Sequence, residues 1–225
     1  MKPNIKAVIY DLDGTLLNSG KEGYRRLIAL GRQYNIEITN EVERRLHENW
    51  GLDPENLIMK GFNVPLVIAQ EIHNAWSIWD KNDPIPLVTG VPEMLQKNIF
   101  DKGIANFVFT SRKTKSAINV LKSFSIAHLF EEVVGTTGGI FVRKTGLKKP
   151  DPRALKNLLV FINDYYNISR ENIAYVGDEI FDIQCGIGAG LLTYGVTSGL
   201  KTKEELHGAG APLEMIYSSV INIEF

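Results

Sequence analysis

One segment near the start of the chain organises the rest: Asn4-Ile5-Lys6-Ala7-Val8-Ile9-Tyr10-Asp11-Leu12-Asp13-Gly14-Thr15-Leu16, an apolar run that ends in two acids and a glycine. Because the run is apolar on both faces, it predicts a buried strand of a parallel sheet. Ligands of such sheets bind just beyond the carboxyl ends of the strands, where Asp11 and Asp13 are expected. Paired carboxylates repel each other unless a cation lies between them, and oxygen ligands suit a hard ion such as Mg²⁺.

Two other interpretations stay open for this segment taken alone. The first is an ordinary turn in which both acids are solvated and Gly14 supplies a positive φ. The second is a calcium loop of the EF-hand type, in which Thr15 and Glu22 would occupy the fifth and twelfth positions. A preceding apolar strand is the wrong context for a helix-loop-helix, so the calcium loop is disfavoured.

The composition is that of an ordinary globular protein with one good core and a smaller one. The 225 residues are 44% hydrophobic and 23% charged. A formal net charge of -1 gives no field for nucleic acid or an anionic membrane. The single cysteine, Cys185, excludes an internal disulfide, no apolar run approaches the roughly 20 residues of a membrane span, and no signal-peptide pattern is present. We therefore expect a cytoplasmic monomer or homodimer with no nucleic-acid or membrane partner.

Periodicity divides the chain into two parts. Apolar residues at helical spacing, interrupted by glycine and proline, predict an all-helical insertion over residues 19–86, in which Asn40 and Glu43 cap the second helix. From Thr89 onward, helices alternate with short apolar strands, which is typical of a parallel sheet. We predict an α/β fold: a Rossmann-like, three-layer core of residues 1–18 and 87–225, interrupted by a helical domain at 19–86 with hinges near 17–20 and 85–90.

Polar residues follow a second predicted strand. The strand around Phe107 ends in Thr110-Ser111-Arg112, where a hydroxyl and the following backbone amides could bind phosphate oxygens. Thr110 and Ser111 are equally suited to an ordinary helix N-cap. Because the two hydroxyls are adjacent, the pattern does not decide between them.

Charged residues begin two later helices. Lys149 precedes Pro150 at a helix entrance, where the prolines hold its position, and the Lys-Pro-x-Pro pattern favours it over Lys148. Asp178 and Asp182 are four residues apart at a strand-to-helix turn, so both acids face the same side. Carboxylates are also common at helix N-termini without any further function. Four aspartates and one lysine at a single edge are nevertheless hard to explain by capping alone.

Phosphoryl transfer uses such a set of residues. Asp11 would attack phosphorus to form an aspartyl-phosphate, while Mg²⁺ screens the repulsion between carboxylate and phosphate. Asp13 would protonate the leaving oxygen and later deprotonate the attacking water. Lys149 and Thr110 would hold the equatorial oxygens as charge develops.

These segments resemble the four ordered motifs of the haloacid dehalogenase superfamily: Asp11-Leu12-Asp13-Gly14-Thr15-Leu16, Thr110-Ser111, Lys149-Pro150-Asp151-Pro152 and Gly177-Asp178-Glu179-Ile180-Phe181-Asp182. The resemblance extends from about Ile5 to the C-terminal helix, and the layout is most similar to phosphoglycolate phosphatase-like members. It implies that the helical insertion is a C1-type cap. The resemblance also implies that Asp11 is the nucleophile and a metal ligand, and that Asp13 is the acid/base, whose backbone carbonyl binds the metal as well. It implies that Asp178 is a further metal ligand and that Asp182 supports the metal site, by direct contact, from the second coordination shell or through a water molecule. Gly14 and Thr15 would shape the phosphate-binding loop.

The sequence therefore predicts a Mg²⁺-dependent phosphatase that hydrolyses a small phosphorylated metabolite, such as a phosphoglycolate-like ester or a sugar phosphate. A dehalogenase of the same superfamily is disfavoured because it has no use for Asp13 as a leaving-group acid. A sugar-phosphate mutase stays open, since the same aspartyl-phosphate can pass to a second hydroxyl when water is excluded. A non-enzymatic sensor of a phosphorylated ligand is the remaining alternative.

Overall fold

A six-stranded parallel sheet forms the core of the protein. The computed structural model describes residues 3–136 and 147–225. The strands are β1 (Ala7–Tyr10), β2 (Ala105–Phe109), β3 (Glu132–Val134), β4 (Ile173–Gly177), β5 (Leu192–Val196) and β6 (Ile216–Tyr217). They are parallel and lie in the order β3-β2-β1-β4-β5-β6.

All the α-helices of the described residues lie between β1 and β6 along the chain. They are α1 (Ser19–Gln33), α2 (Asn40–Asn49), α3 (Pro54–Phe62), α4 (Leu66–Asn82), α5 (Val91–Phe100), α6 (Thr114–Ser123), α7 (Lys156–Tyr166), α8 (Ile180–Gly188) and α9 (Lys203–Gly208). No helix in this described part of the chain has both the length and the apolar character needed to cross a membrane.

Strand β1 lies at the centre of the sheet and is buried along its whole length. Ala7 pairs with Ala105 of β2 on one side and with Ile173 of β4 on the other. Ala7 also belongs to an apolar cluster that includes residues of α7 and α8. On the opposite face, the hydroxyl of Tyr10 accepts a hydrogen bond of 2.8 Å from Asn98 of α5. Helices therefore cover both faces, and the predicted Rossmann-like α/β fold is confirmed.

The chain forms two compact units, Met1–Asn18 with Leu87–Phe225, and Ser19–Pro86. We call the first the core unit, because it contains the sheet, and the second the helical unit, because it contains α1 to α4. The two crossings between them are adjacent within the core unit. Leu17 and Leu87 form an antiparallel bridge, and the amide of Val88 donates to the carbonyl of Leu16 at 2.9 Å.

The helical unit has a hydrophobic core of its own. Its fully buried members include Leu27, Leu46, Ile58 and Ile72, and Trp50, Trp76 and Trp79 pack against them. The side chain of Arg26 is also buried. It donates to Glu22 at 2.8 Å, to Asp80 at 3.0 Å and to Asp83 at 3.0 Å, which ties the start of α1 to the end of α4.

Two local features differ from the sequence-based expectation. The N-cap of α2 is Thr39, whose Oγ1 accepts from the amide of Val42 at 3.3 Å, so the predicted cap at Asn40 was wrong by one residue. Strand β6 was not predicted, because two residues are too few to show an alternating pattern. Neither difference moves the strand ends that carry the predicted site residues.

Candidate active site

Three neighbouring strands bring the predicted residues to one edge of the sheet. Asp11 follows β1, Thr110 follows β2 and Asp178 follows β4. The amide of Asp11 donates to the carbonyl of Val176 at 2.8 Å, which continues the pairing of β1 with β4 up to the acid itself. Lys149 reaches the same edge from the loop before α7.

Three buried carboxylates converge there. One oxygen atom from each of Asp11, Asp178 and Asp182 lies within 4.8 Å of the others. The three residues are 5%, 2% and 0% exposed, respectively. Clustered carboxylate oxygens are the ligands that hard divalent cations prefer. The donor set therefore fits such a cation.

Lys149 lies between two of these carboxylates. Its Nζ donates to Asp11 Oδ1 at 2.5 Å and to Asp182 Oδ1 at 2.6 Å, and only 2% of its side chain is exposed. Burial by itself lowers the pKa of an ammonium group, but the attraction of Asp11 and Asp182 outweighs burial and raises the pKa of Lys149. Lys148 is exposed. The structure thus brings Lys149, and not its neighbour, into the acid cluster.

One ammonium group does not balance the buried negative charge. Burial raises the pKa of Asp11 to about 7, with Lys149 opposing the shift and Asp182 and Asp13 adding to it. Burial also raises the pKa of Asp178 well above its ordinary value. A nearby cation favours the ionised form of a carboxyl group. The cluster is therefore electrostatically suited to accept further positive charge.

Asp182 has a structural role and a place in the cluster at the same time. Its Oδ2 accepts a hydrogen bond of 3.1 Å from the amide of Glu179 at the start of α8, which is ordinary for an acid in the first helical turn. Its Oδ1 accepts from Lys149, and also from the hydroxyl of Tyr175 at 3.0 Å. The Asp182 side chain therefore stabilises the start of α8 and also belongs to the acid cluster.

Asp178 is held between two glycine-containing loops. Its Oδ1 accepts from the Thr15 hydroxyl at 3.2 Å. A Cβ atom on either Gly14 or Gly199 would overlap the Asp178 carboxylate, and Gly14 has a φ of 79° in addition. The hydroxyl of Ser198 donates to the carbonyl of Gly14 at 2.6 Å. The loop after β5 and the loop after β1 therefore close around Asp178.

The Gly199→Ala variant is expected to bind a divalent cation such as Mg²⁺ about 10- to 100-fold more weakly than the unchanged protein, because the added methyl group displaces the carboxylate of Asp178. Isothermal titration of the metal-free protein with Mg²⁺ measures this. Gly208→Ala is the matched control, since a Cβ atom there meets nothing within 4 Å. Equal Mg²⁺ affinity of the two variants would show that the loop after β5 does not position Asp178.

The side chain of Asp13 forms an ion pair with Arg112 that the sequence did not predict. Arg112 donates from Nε to Asp13 Oδ2 at 2.5 Å and from Nη2 to Asp13 Oδ1 at 2.6 Å. The Oγ1 atom of buried Thr110 accepts a hydrogen bond of 3.1 Å from the amide of Arg112. The Thr110 hydroxyl group can still donate its own proton to another acceptor. Ser111 is exposed on the same loop.

From the sequence, no side-chain role was assigned to four residues that the structure shows at this edge: Arg112, Tyr175, Ser198 and Gly199. Ser198 and Gly199 follow β5, so the strand-end rule that located Asp11 also points to them. Arg112 follows the two hydroxyls after β2 and offered the same signal. Tyr175 gave no signal, because it lies inside an apolar strand and only its hydroxyl reaches the cluster.

The sequence of this chain is similar to that of a known family and of several curated proteins. A family model described as haloacid dehalogenase-like hydrolase matches residues 8–196. A phosphoglycolate phosphatase from Vibrio cholerae is 27% identical over 216 residues, which cover 92% of this chain and 90% of that protein. A relative from Clostridium perfringens that carries pyrophosphatase in its name is 30% identical over 199 residues, covering 85% of this chain and 84% of the relative.

Solved structures show the same fold. That of a haloacid dehalogenase-like family hydrolase from Streptococcus pneumoniae matches with a TM-score of 0.70 and 16% identity, covering 96% of this chain and 95% of that one. The family model extends from β1 to the end of β5 and so spans every strand end described above. The resemblance drawn from four motifs is confirmed: the chain belongs to the haloacid dehalogenase-like hydrolases.

Proposed function

We propose that this protein is a Mg²⁺-dependent phosphatase that hydrolyses a small phosphomonoester, phosphoglycolate-like or a sugar phosphate, through an aspartyl-phosphate on Asp11. The observation that carries the proposal is the contact of the Asp11 carboxylate with Lys149 inside a buried acid cluster. A carboxylate nucleophile beside a fixed cation suits phosphoryl transfer to a side chain. Relatives of similar length named phosphoglycolate phosphatase support the same chemistry.

Mg²⁺ fits the residues present. The side chains of Asp11 and Asp178 and the backbone carbonyl of Asp13 would hold it, with Asp182 contributing directly or through a water molecule. When bound, Mg²⁺ supplies positive charge that screens the repulsion between Asp11 and a phosphate dianion. The raised pKa of Asp11 supports this assignment, because the nucleophile must be ionised to attack.

In the first half of the reaction, a carboxylate oxygen of Asp11 forms a bond to phosphorus, and the bond from phosphorus to the ester oxygen breaks. Asp13 donates a proton to the departing oxygen, so the alcohol leaves neutral. In the second half, a water oxygen attacks the phosphorus of the aspartyl-phosphate and Asp13 takes its proton. Inorganic phosphate leaves, and Asp11 is restored as a carboxylate.

Lys149 and Thr110 would hold the phosphoryl oxygens during both halves. Lys149 offers a positive charge fixed by burial, and Thr110 offers a hydroxyl group that can donate its proton, while Ser111 is the exposed alternative on the same loop. The amide of Gly14 already donates to the carbonyl of Leu17 at 3.0 Å. We therefore assign Gly14 the role of turning the loop, and Thr15 that of holding Asp178.

We assign the helical unit the role of a cap that selects the substrate. It is an insertion with its own hydrophobic core, and none of the residues assigned to the chemistry lies in it. Residues 17–20 and 85–90, which flank the crossings, would serve as hinges.

The test is phosphate release from p-nitrophenyl phosphate and a panel of small phosphomonoesters, with Mg²⁺ and with EDTA. We expect turnover with Mg²⁺ and a loss of at least about 100-fold with EDTA, because the acid cluster then lacks its counter-charge. A folded, Mg²⁺-binding protein that releases phosphate from no ester contradicts the proposal. Transfer of phosphate to a second sugar hydroxyl in place of release would identify a mutase.

A further inference from the structure

Arg112 holds the side chain of Asp13, the proposed acid/base, in an ion pair. Both nitrogen–oxygen contacts are short, at 2.5 Å and 2.6 Å, and together they form a bidentate fork. The fork fixes the orientation of the Asp13 carboxylate. Asp13, however, has to face the ester oxygen of the substrate when it donates its proton.

The backbone of Arg112 is firmly anchored. Its amide donates to Thr110 Oγ1 at 3.1 Å, and its carbonyl accepts from the amide of Thr136 at 2.8 Å. Gly135 packs so closely on that carbonyl that a Cβ atom would overlap it. Any change of partner by Arg112 is therefore a movement of its side chain alone.

The side-chain pair itself is partly open to solvent. Arg112 is 27% exposed at its side chain and Asp13 is 36% exposed. Water and small anions can therefore reach the guanidinium. Exchange of Asp13 for another anion keeps the guanidinium paired, because a new bidentate partner replaces the hydrogen bonds lost to Asp13. Lys149, whose side chain is 2% exposed, has no such access.

We propose that Arg112 binds an anionic group on the leaving alcohol of the substrate and releases Asp13 in exchange. The inference rests on the proposed function, because it needs Asp13 as the leaving-group acid. Asp13 must lie at the ester oxygen, and Arg112 lies one hydrogen bond beyond Asp13. The anion that Arg112 recognises must therefore be close to the ester oxygen. A carboxylate on the adjacent carbon meets this condition, and so does the second phosphate of pyrophosphate.

This arrangement links substrate recognition to catalysis. A substrate with such an anion offers two carboxylate or phosphate oxygens to the guanidinium of Arg112. Asp13 is then released and can face the ester oxygen. An ester of a neutral alcohol offers no such partner, so Arg112 keeps its hold on Asp13. Arg112 thereby becomes a specificity-determining residue.

The test compares Arg112→Gln and Arg112→Lys with the wild type, all in Mg²⁺. Lys113→Gln is the matched control, since it removes a positive charge from the next position of the same exposed loop. The substrates are 2-phosphoglycolate, pyrophosphate and 2-hydroxyethyl phosphate, which carry a carboxylate, a second phosphate and no further anion. Steady-state kinetics give kcat and KM for every pair.

We expect the wild type to prefer at least one anionic substrate over 2-hydroxyethyl phosphate, and Arg112→Gln to reduce that preference in kcat/KM by about 10- to 100-fold. The loss should fall mainly on KM of the anionic substrate. Arg112→Lys should recover part of it as a point charge, and Lys113→Gln should match the wild type. Which anionic substrate loses its advantage identifies the carboxylate or the phosphate as the group recognised.

Three results overturn the inference. An equal loss on all three substrates would show that Arg112 only orients Asp13. An unchanged preference in Arg112→Gln, or no preference in the wild type, would show that Arg112 does not bind the leaving group. The absence of turnover by the wild type on every substrate would instead remove the proposed function on which the inference rests.

Discussion

Replacing Asp11 with asparagine is expected to abolish phosphate release, with kcat lowered by about 10⁴-fold or more. The amide keeps the shape of the side chain but has no anionic oxygen to bond to phosphorus. Its neighbours stay in place, since Lys149 still has Asp182 as a partner. Activity should therefore fall much further than stability. Steady-state phosphate release, together with thermal unfolding in the same buffer, measures both.

The matched control for this variant is Asp101→Asn, which makes the same chemical change at an exposed residue at the end of α5. It should keep wild-type activity. Rapid quenching of the wild type during turnover should also trap protein that carries one added phosphoryl group, and Asp11→Asn should trap none. Substantial activity in Asp11→Asn would assign the nucleophile elsewhere.

Replacing Lys149 with methionine is expected to lower kcat by about 10³-fold and to destabilise the metal-free protein by about 3 to 5 kcal/mol. Methionine has a similar length but no charge, so the transferred phosphoryl group loses its fixed cation. Asp11 and Asp182 also lose their shared donor while they stay buried. Denaturant unfolding in EDTA measures the stability, and phosphate release in Mg²⁺ measures the rate.

Mg²⁺ separates these two consequences. Because a bound cation also neutralises the acids, Mg²⁺ should stabilise Lys149→Met by more than it stabilises the wild type, while the activity stays low. Lys148→Met is the control, because that lysine is exposed and one position away. If Lys149→Met in EDTA proved as stable as the wild type, Lys149 would not be the counter-charge of the buried acids.

The acid cluster could be predicted from the sequence because it follows from a general property of parallel sheets. Asp11 and Asp178 each follow an apolar strand, and strands that point the same way end at the same edge. Lys149 required one further signal, the prolines around it. The structure brings Asp11, Asp178 and Asp182 into one cluster, and Lys149 contacts two of them.

The pairing of Asp13 with Arg112 was beyond the sequence for a physical reason. A long, partly exposed side chain has many rotamers, and its partner is decided by contacts in space that have no spacing rule along the chain. The cap of α2 shows the same limit on a smaller scale. Thr39 and Asn40 are both good capping residues, so residue type alone does not decide between them, and the cap is Thr39.

The adjacent crossings at Leu17 and Leu87 have a consequence for how such a protein diversifies. The helical unit is inserted between two neighbouring positions of the core unit and packs around its own apolar centre, so a change inside it need not alter the pairing of the strands. With the helical unit assigned to substrate selection as proposed above, descent within the family would preserve the reaction while the metabolite changes, and whole-chain identity to a relative would be a better guide to chemistry than to substrate.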